Sequence, residues 1–208
     1  RGTGLGSSVD LLYRNATVRE VAHRTNTENL WCIPATLDLA GSEIELVNLF
    51  NRERRLRQAI TDEFLEEQGF DYLIIDSPPG TGDEPLSVCQ LIAPLDGAVV
   101  VTTPQRVAAV DVRKSITFCR QVNVPVLGVV ENMSGFACPK CGEVTQVFRS
   151  GGGRQIAESM AVPFLGSIPI DPKIAEAADG GRAFIRHYAD SATAAAMRAV
   201  VAPLLSLK

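Results

Sequence analysis

Residues 70–84, with the sequence FDYLIIDSPPGTGDE, combine a short apolar run with the carboxylates of Asp76 and Asp83. The run ends in Asp76, followed by a Pro-Pro-Gly turn and Asp83, as at the carboxyl edge of a buried parallel strand. An aspartate there can hold Mg²⁺ directly or through water, because Mg²⁺ takes only one or two carboxylates. Gly80 and Gly82 would let backbone N–H groups approach an anion closely. The pattern favours a nucleotide-binding edge over the alternative, in which the carboxylates only cap the following helix.

A second candidate is the cysteine pair Cys138 and Cys141, in the sequence CPKCG. C-x-x-C presents two thiolates at one metal-binding turn, whereas zinc and 4Fe–4S sites usually have four ligands. No second C-x-x-C occurs in the chain, so two copies could complete one site across a two-fold axis. A half zinc ribbon, a thioredoxin-type redox pair and a pair without a ligand role are the alternatives. Cys32, Cys89 and Cys119 lie in apolar contexts, where buried structural cysteine is expected.

Two glycine-rich segments could bind phosphate, but neither has the lysine of a Walker A loop, because the dipeptide Gly-Lys is absent from the sequence. Residues 1–8, RGTGLGSS, are predicted to form a flexible loop. Residues 150–154, SGGGR, precede a predicted helix and could bind an anion or act as a hinge, and we favour the hinge. A basic cluster at residues 52–57 contains Glu53 and is followed by acidic residues, and it is predicted to be a solvated helix face rather than a nucleic-acid surface.

The composition is that of an ordinary globular domain, with 208 residues of which 46% are hydrophobic and 21% charged. The net charge of −4 gives no overall field that favours nucleic acid or an anionic membrane. No apolar run approaches the ~18 residues of a membrane span. Five cysteines with one close pair indicate a reduced, intracellular protein. We therefore expect a cytoplasmic protein without nucleic-acid or membrane partners.

Apolar runs of strand length alternate with helical segments along the chain, and no short hairpin joins the main strands. This order predicts an α/β fold, with a mostly parallel doubly wound sheet and helices on both faces, in one domain over residues 1–208. An insert at residues 132–149 carries the cysteine pair. The predicted strands are residues 29–36, 72–75, 97–103, 124–131 and 162–168, and the predicted helices are residues 43–68, 84–93, 105–122, 153–160, 174–179 and 188–207.

Residues 70–184 resemble the Mrp/ApbC-type iron–sulfur cluster carriers, which are ATPases of the MinD/ParA branch of P-loop proteins. The matching segments include DYLIIDSPPGTGDEPLSV, VVVTTPQ, VPVLGVVENMSGFACPKCGE, SGGGRQIAE and VPFLGSIPIDP, in that order. The combination of GTGD, NMSGF, CPKC and SGGG is specific for these carriers within the branch. The resemblance implies a P-loop NTPase-like fold, ATP and Mg²⁺ as cofactors, a homodimer, and apo iron–sulfur proteins as recipients of a cluster.

The same resemblance implies roles for individual residues. Asp76 would be the Walker B carboxylate near Mg²⁺, and Asp83 would lie in the switch loop. Both would be catalytic residues. Cys138 and Cys141, with their counterparts in a second subunit, would hold a bridging 4Fe–4S cluster, because thiolates suit iron–sulfur ligation. The other implied nucleotide contacts are Pro79 and Gly80 in the loop that senses the γ-phosphate, Asn132 at the adenine edge, and Pro169, Ile170 and Asp171 in a loop that frames the base.

Residues 2–60 look more like the ParA-type chromosome-partition ATPases. Both families normally begin with a strand, a deviant Walker A loop and a helix, and the lysine of that loop does not occur in these 208 residues. ATP hydrolysis is therefore implied by family alone, and we expect this chain to expose apolar strand edges and to be poorly soluble. The alternatives to a cluster carrier are a ParA/MinD-like positioning ATPase that binds DNA or membrane, and a non-catalytic protein that dimerises through zinc.

Overall fold

The computed structural model describes residues 6–14, 16–36, 63–77, 85–86, 88–89, 95–138 and 143–207. The chain forms two compact units. The first comprises Arg1–Pro78 and Asp83–Ala93, and the second comprises Pro79–Gly82 and Pro94–Lys208. None of the helices in the described ranges has the length and apolar character needed to cross a membrane.

The first unit is built from short elements. Helices α1 (Ser8–Tyr13) and α2 (Val18–Val21) each begin after a hydroxyl residue that is followed three positions later by an acidic one, the sequence pattern of a capping box. Strands β1 (His23–Arg24) and β2 (Trp31–Cys32) pair antiparallel. Helix α3 spans Glu63–Gln68 and is the described end of the predicted helix at residues 43–68.

Caps and aromatic contacts hold these short elements together. The Asp10 carboxylate accepts hydrogen bonds from the Ser7 hydroxyl at 2.8 Å and from the Ser7 backbone N–H at 2.9 Å. These two bonds hold the pKa of Asp10 below its usual value. Trp31 and Phe64 pack edge to face with ring centroids 5.3 Å apart, and the buried Val21 lies in the same apolar cluster. The unit therefore has a small core of its own.

The prediction of a buried strand at residues 72–75 is wrong. Residues 72–77 form no regular element, and their apolar side chains are exposed, with Ile74 at 89% and Leu73 at 54%. A strand is stable only where its backbone groups pair with a neighbour. No strand in the part of the first unit that the structure describes pairs with this segment, so its apolar pattern alone does not make it a strand.

The predicted buried strand at residues 29–36 is reduced to the two residues of β2, because its partner β1 is equally short. Cys32 is exposed on β2, so its expected burial is also wrong. Cys119 is buried as expected. Cys89 is half-buried in a helical segment, and burial raises the pKa of its thiol.

The second unit contains the predicted parallel sheet. Strands β3 (Ala98–Thr102) and β4 (Val126–Ala137) pair in parallel, and β5 (Val144–Thr145) pairs antiparallel with the far end of β4. Strand β6 (Phe164–Ile170) pairs in parallel with β4, which therefore lies between β3 and β6. The helices of this unit are α4 (Arg106–Gln121), α5 (Gly152–Ser159), α6 (Pro172–Asp179), α7 (Phe184–His187) and α8 (Ala192–Val201), followed by a 3-10 helix at Ala202–Ser206.

The strands predicted at residues 97–103, 124–131 and 162–168 and the helices predicted at residues 105–122, 153–160 and 174–179 all correspond to observed elements. The final helix predicted at residues 188–207 is interrupted instead. Ser191 begins a new helix there, because its side chain accepts a hydrogen bond from the Ala194 N–H at 3.1 Å and so caps α8.

Helices α4 and α5 pack on β3 and β4 and bury the main core of the second unit. Ile116 on α4 and Val129 on β4 are fully buried, and Ile156 on α5 is 2% exposed. The residues of β3 alternate between the core and the opposite face, where Val99 and Val101 are exposed. The expected exposure of apolar strand edges and the expected low solubility both stay predictions.

We predict that Ile116→Ala lowers the free energy of unfolding of the second unit by about 2–5 kcal/mol, because it removes buried methylene groups and leaves a cavity. The matched control is Val110→Ala on the same helix, which is 56% exposed and should change stability by no more than about 0.5 kcal/mol. Denaturant unfolding followed by circular dichroism measures both. Equal effects of the two substitutions would contradict this description of the core.

Candidate functional site

Strand β4 connects the parallel sheet to the cysteine pair. Its register against β6 jumps from Asn132 opposite Ile168 to Phe136 opposite Ile170, so four residues of β4 span two of β6. Met133 and Gly135, inside this bulge, have positive φ angles of 57° and 78°. Bulges of this kind redirect a strand and its side chains. Beyond the bulge, β4 continues into an antiparallel hairpin with β5.

The hairpin carries Cys138 immediately after β4. The Cys138 backbone N–H donates a hydrogen bond to the Glu143 carbonyl at 2.9 Å, which closes the turn. Cys138 is half-buried. Cys141 lies outside the described residues. The predicted insert at residues 132–149 therefore begins as a continuation of a core strand, and its first cysteine directly follows that strand.

A buried carboxylate lies at the base of this hairpin. Glu131 lies on β4 just before Asn132, the last residue that pairs with β6 ahead of the bulge, and it is 1% exposed. Its Oε1 accepts hydrogen bonds from the Ser134 hydroxyl at 2.6 Å and from the Gly151 N–H at 3.0 Å, and its Oε2 accepts one from the Gly153 N–H at 2.6 Å. Burial of a carboxylate is costly unless donors of this kind compensate for lost water. Glu131 is thus the most completely bonded acidic group at this sheet edge within the described ranges.

The sequence prediction missed Glu131, although a signal for it exists. The run VPVLGVVE ends in a carboxylate just as the run DYLIID ends in Asp76. The same argument that selected Asp76, a charged residue at the end of an apolar strand, applies to Glu131. The structure separates the two cases, because Asp76 is exposed and Glu131 is buried.

The SGGG segment supplies two of the three hydrogen-bond donors to Glu131, the N–H groups of Gly151 and Gly153. Gly151 is the N-cap of α5 and has a positive φ of 83°. A Cβ atom on Gly152 would lie 2.5 Å from the Pro104 carbonyl oxygen, and one on Gly153 would lie 2.9 Å from the Glu131 Cβ. Glycine is needed at both positions because the backbone approaches its neighbours so closely. The anion that meets the N–H groups of Gly151 and Gly153 is therefore a side chain of the protein itself.

Asn132 and Pro169 lie together at the carboxyl ends of neighbouring strands. The register places Asn132 opposite Ile168, the residue before Pro169 on β6. The side-chain oxygen of Asn132 accepts a hydrogen bond from the Met133 N–H at 2.9 Å. Ligands of open α/β sheets bind outside this edge, so these two residues remain candidates for nucleotide contact.

Asp171 begins helix α6. Its Oδ1 accepts a hydrogen bond from the Lys173 N–H at 3.0 Å, and its Oδ2 accepts one from the Thr193 hydroxyl at 2.8 Å. Both oxygens therefore have structural partners, at the N-terminus of α6 and on α8. Asp171 has an architectural role in addition to any contact with a base.

The remaining predicted nucleotide residues are Asp76, Pro79, Gly80 and Asp83. Asp76 lies in the first unit, at the exposed end of the irregular segment 72–77. Pro79, Gly80 and Asp83 lie outside the described residues. Their predicted roles at the switch loop stay predictions.

Comparison with known proteins places these features in a family. A family model described as ParA, NUBPL iron-transfer P-loop NTPase, matches residues 50–205. The chain belongs to this family, so its resemblance to cluster carriers of the MinD/ParA branch is confirmed. It is 46% identical over 155 residues to the cytosolic Fe-S cluster assembly factor NUBP2 homolog of Trichoplax adhaerens, an alignment that covers 72% of this chain and 58% of the relative. For bovine NUBP2 the identity is 44%, over 72% of this chain and 57% of the relative.

Solved structures agree with the fold. A nucleotide-binding protein from Archaeoglobus fulgidus in complex with ADP is 48% identical, with a TM-score of 0.50, and the match covers 54% of this chain and 46% of that protein. The cell-division ATPase MinD of Pyrococcus furiosus is 23% identical, with a TM-score of 0.71, over 97% of this chain and 76% of MinD. The likeness to MinD confirms the predicted α/β fold and carries no functional argument.

We predict that Gly153→Ala lowers the free energy of unfolding by about 1–3 kcal/mol, because the new methyl group overpacks the contact with Glu131 and Thr102. The matched control is Gln155→Ala, at an exposed position of the same helix α5. Thermal melting of both variants beside the parent checks the prediction. A Gly153→Ala variant as stable as the control would show that the close approach is not required.

We predict that Asp171→Ala destabilises the chain by about 0.5–2 kcal/mol through loss of the α6 cap, while Asp171→Asn, which keeps an acceptor oxygen, loses less. Asp179→Ala at the other end of the same helix is the control and should not destabilise. Denaturant titration ranks the three variants. If Asp171→Ala and Asp179→Ala have the same stability, the cap contributes nothing.

Proposed function

We propose that this chain acts in iron–sulfur cluster assembly as an ATP-dependent cluster carrier. Two copies would hold one bridging 4Fe–4S cluster through Cys138 and Cys141 of each copy, and the cluster would be cargo that passes to apo iron–sulfur proteins. Membership of an iron-transfer NTPase family supports this proposal, as do relatives named cytosolic Fe-S cluster assembly factors. Because the chain spans 58% of the first of these relatives, the activity of the whole protein is part of the proposal.

The observation that carries the proposal is the cysteine hairpin. It stands on the central strand of the sheet, and its base is fixed by hydrogen bonds to buried Glu131. Thiolates are soft ligands that suit iron–sulfur clusters. One C-x-x-C supplies two of the four ligands that such a cluster takes, so a symmetric pair of chains provides the full set. This arithmetic favours a homodimer with the cluster at its interface.

ATP with Mg²⁺ is the proposed nucleotide, and the residues present fit it in part. Asn132 offers an amide and Pro169 a half-buried apolar surface at the edge of the sheet where nucleotides bind in such folds. Asp76 would hold Mg²⁺ and Asp83 would act with Pro79 and Gly80 in the loop that senses the γ-phosphate, while Asp171 shapes the loop after β6. In phosphoryl transfer, residues of this kind act by positioning and electrostatic stabilisation.

The same comparison supports a proposed location. The similar proteins of Trichoplax adhaerens, Anopheles gambiae and Bos taurus are all named cytosolic factors. We propose a cytoplasmic protein on this basis. The competing hypothesis of a positioning ATPase depended on the ParA-like front segment at residues 2–60 and on the basic cluster at residues 52–57. The basic cluster lies outside the described residues, and no observation on the described part of the front segment favours this hypothesis.

The cysteine assignment predicts the outcome of anaerobic reconstitution with iron and sulfide. The parent chain should bind both with the absorption of a 4Fe–4S cluster, and Cys138→Ser/Cys141→Ser should bind neither above background, because serine does not replace a thiolate toward this cluster. Cys32→Ser is the matched control, since Cys32 is exposed and lies in the first unit. Elemental analysis of iron and acid-labile sulfide measures all three proteins.

Two results would contradict the proposal. Equal iron and sulfide in the parent and the double variant would remove the cysteines from the site. Stoichiometric zinc after anaerobic purification, with no cluster formed on reconstitution, would favour the zinc-linked dimer instead.

A further inference from the structure

Glu131 contacts both ends of the segment that carries the cysteine pair. Ser134 lies at the start of this segment, within the bulge of β4, and Gly151 and Gly153 lie just after its end. The single carboxylate of Glu131 accepts hydrogen bonds from all three. The two ends of the hairpin are thereby joined through one side chain. All of these residues belong to the second unit.

The chemistry of this junction requires a carboxylate. An ionised carboxylate is an acceptor only, and its two oxygens here meet three donors. A glutamine of the same shape would place an NH₂ group against at least one of these donors, and donor would face donor. At a position that is 1% exposed, water cannot replace the lost bonds, and unsatisfied buried groups are costly.

The junction also reaches the neighbouring strand. Gly153 packs beside Thr102, the last residue of β3, since a Cβ on Gly153 would lie 3.1 Å from the Thr102 Cγ2. Gly152 packs against the backbone of Pro104 just beyond that strand. The ends of β3 and β4, the start of α5 and the base of the hairpin therefore meet around Glu131. A change at this point affects the sheet edge and the hairpin together.

We propose that Glu131 is the positioning residue for Cys138, a clamp that fixes the base of the hairpin against the carboxyl edge of the sheet. Its relevance to a cluster rests on the proposed function, while the clamp itself is a property of the chain without cargo. Loss of the carboxylate frees the hairpin base and increases the exposure of Cys138. The main core, built on Ile116 and Val129, does not include Glu131.

The test measures thiol alkylation in the full chain without iron, resolved by cysteine with mass spectrometry. Glu131→Gln should increase the alkylation rate of Cys138 by about tenfold, the factor that corresponds to about 1.4 kcal/mol. Cys119, buried on α4 in the same unit, is the internal reference and should keep its rate. Glu158→Gln, an exposed glutamate on α5, is the matched control and should change neither rate.

A second variant covers the case in which Glu131→Gln loosens the whole unit and accelerates both cysteines. Ser134→Ala removes one of the three donors and leaves the two glycine contacts, so it should accelerate Cys138 selectively by a smaller factor. The proposal is overturned if neither variant accelerates Cys138 more than Cys119.

The outcome is separable from that of the proposed function. Selective acceleration of Cys138 together with failure to bind iron and sulfide would leave the clamp in place and remove the cluster as cargo. Normal cluster binding without selective acceleration of Cys138 would support the cluster as cargo and overturn the clamp. If both proposals hold, reconstituted Glu131→Gln should lose iron to a chelator faster than Glu158→Gln, at the same starting iron content.

Discussion

The hydrogen bonds between buried Glu131 and the glycine loop are the interaction on which the base of the cysteine hairpin and its attachment to the sheet edge depend. A carboxylate without access to water needs donors on both oxygens, and the N–H groups of Gly151 and Gly153 together with the Ser134 hydroxyl provide them. A Cβ on Gly153 would lie 2.9 Å from the Glu131 Cβ, and a Cβ on Gly152 would lie 2.5 Å from the Pro104 carbonyl oxygen. The requirement for glycine at 153 thus follows from the packing around one charged group, and the requirement at 152 follows from the contact with the backbone beyond β3.

This interaction lies between the two parts of the proposed carrier, the nucleotide edge of the sheet and the cysteine hairpin. Strand β4 forms the middle of the parallel sheet, reaches the proposed nucleotide edge at Asn132, and then becomes the first arm of the hairpin that carries Cys138. Glu131 lies on β4 next to the point where the bulge interrupts the pairing with β6. The bulge sets the direction of the hairpin, and the carboxylate of Glu131 fixes the hairpin in that direction.

The parallel strands of the second unit could be predicted because each is a short, mostly apolar run followed further along the chain by a helical period. The same pattern failed at residues 72–75, since strand formation depends on a partner that apolar periodicity does not reveal. Cys138 could be selected from its C-x-x-C spacing. Glu131 also ends an apolar run, but its burial could not be predicted, because its partners Gly151 and Gly153 lie 20 and 22 residues further along the chain.

The most direct measurement is amide hydrogen exchange of Gly153 in the unaltered chain by NMR. Gly153 lies in the first turn of α5, where backbone N–H groups have no acceptor within the helix. Protection of this amide must therefore come from Glu131. If Gly153 donates to Glu131, we predict that its amide exchanges at least about tenfold more slowly than that of an unprotected glycine, equivalent to about 1.4 kcal/mol of opening free energy. Exchange at the rate of an exposed loop glycine would contradict it.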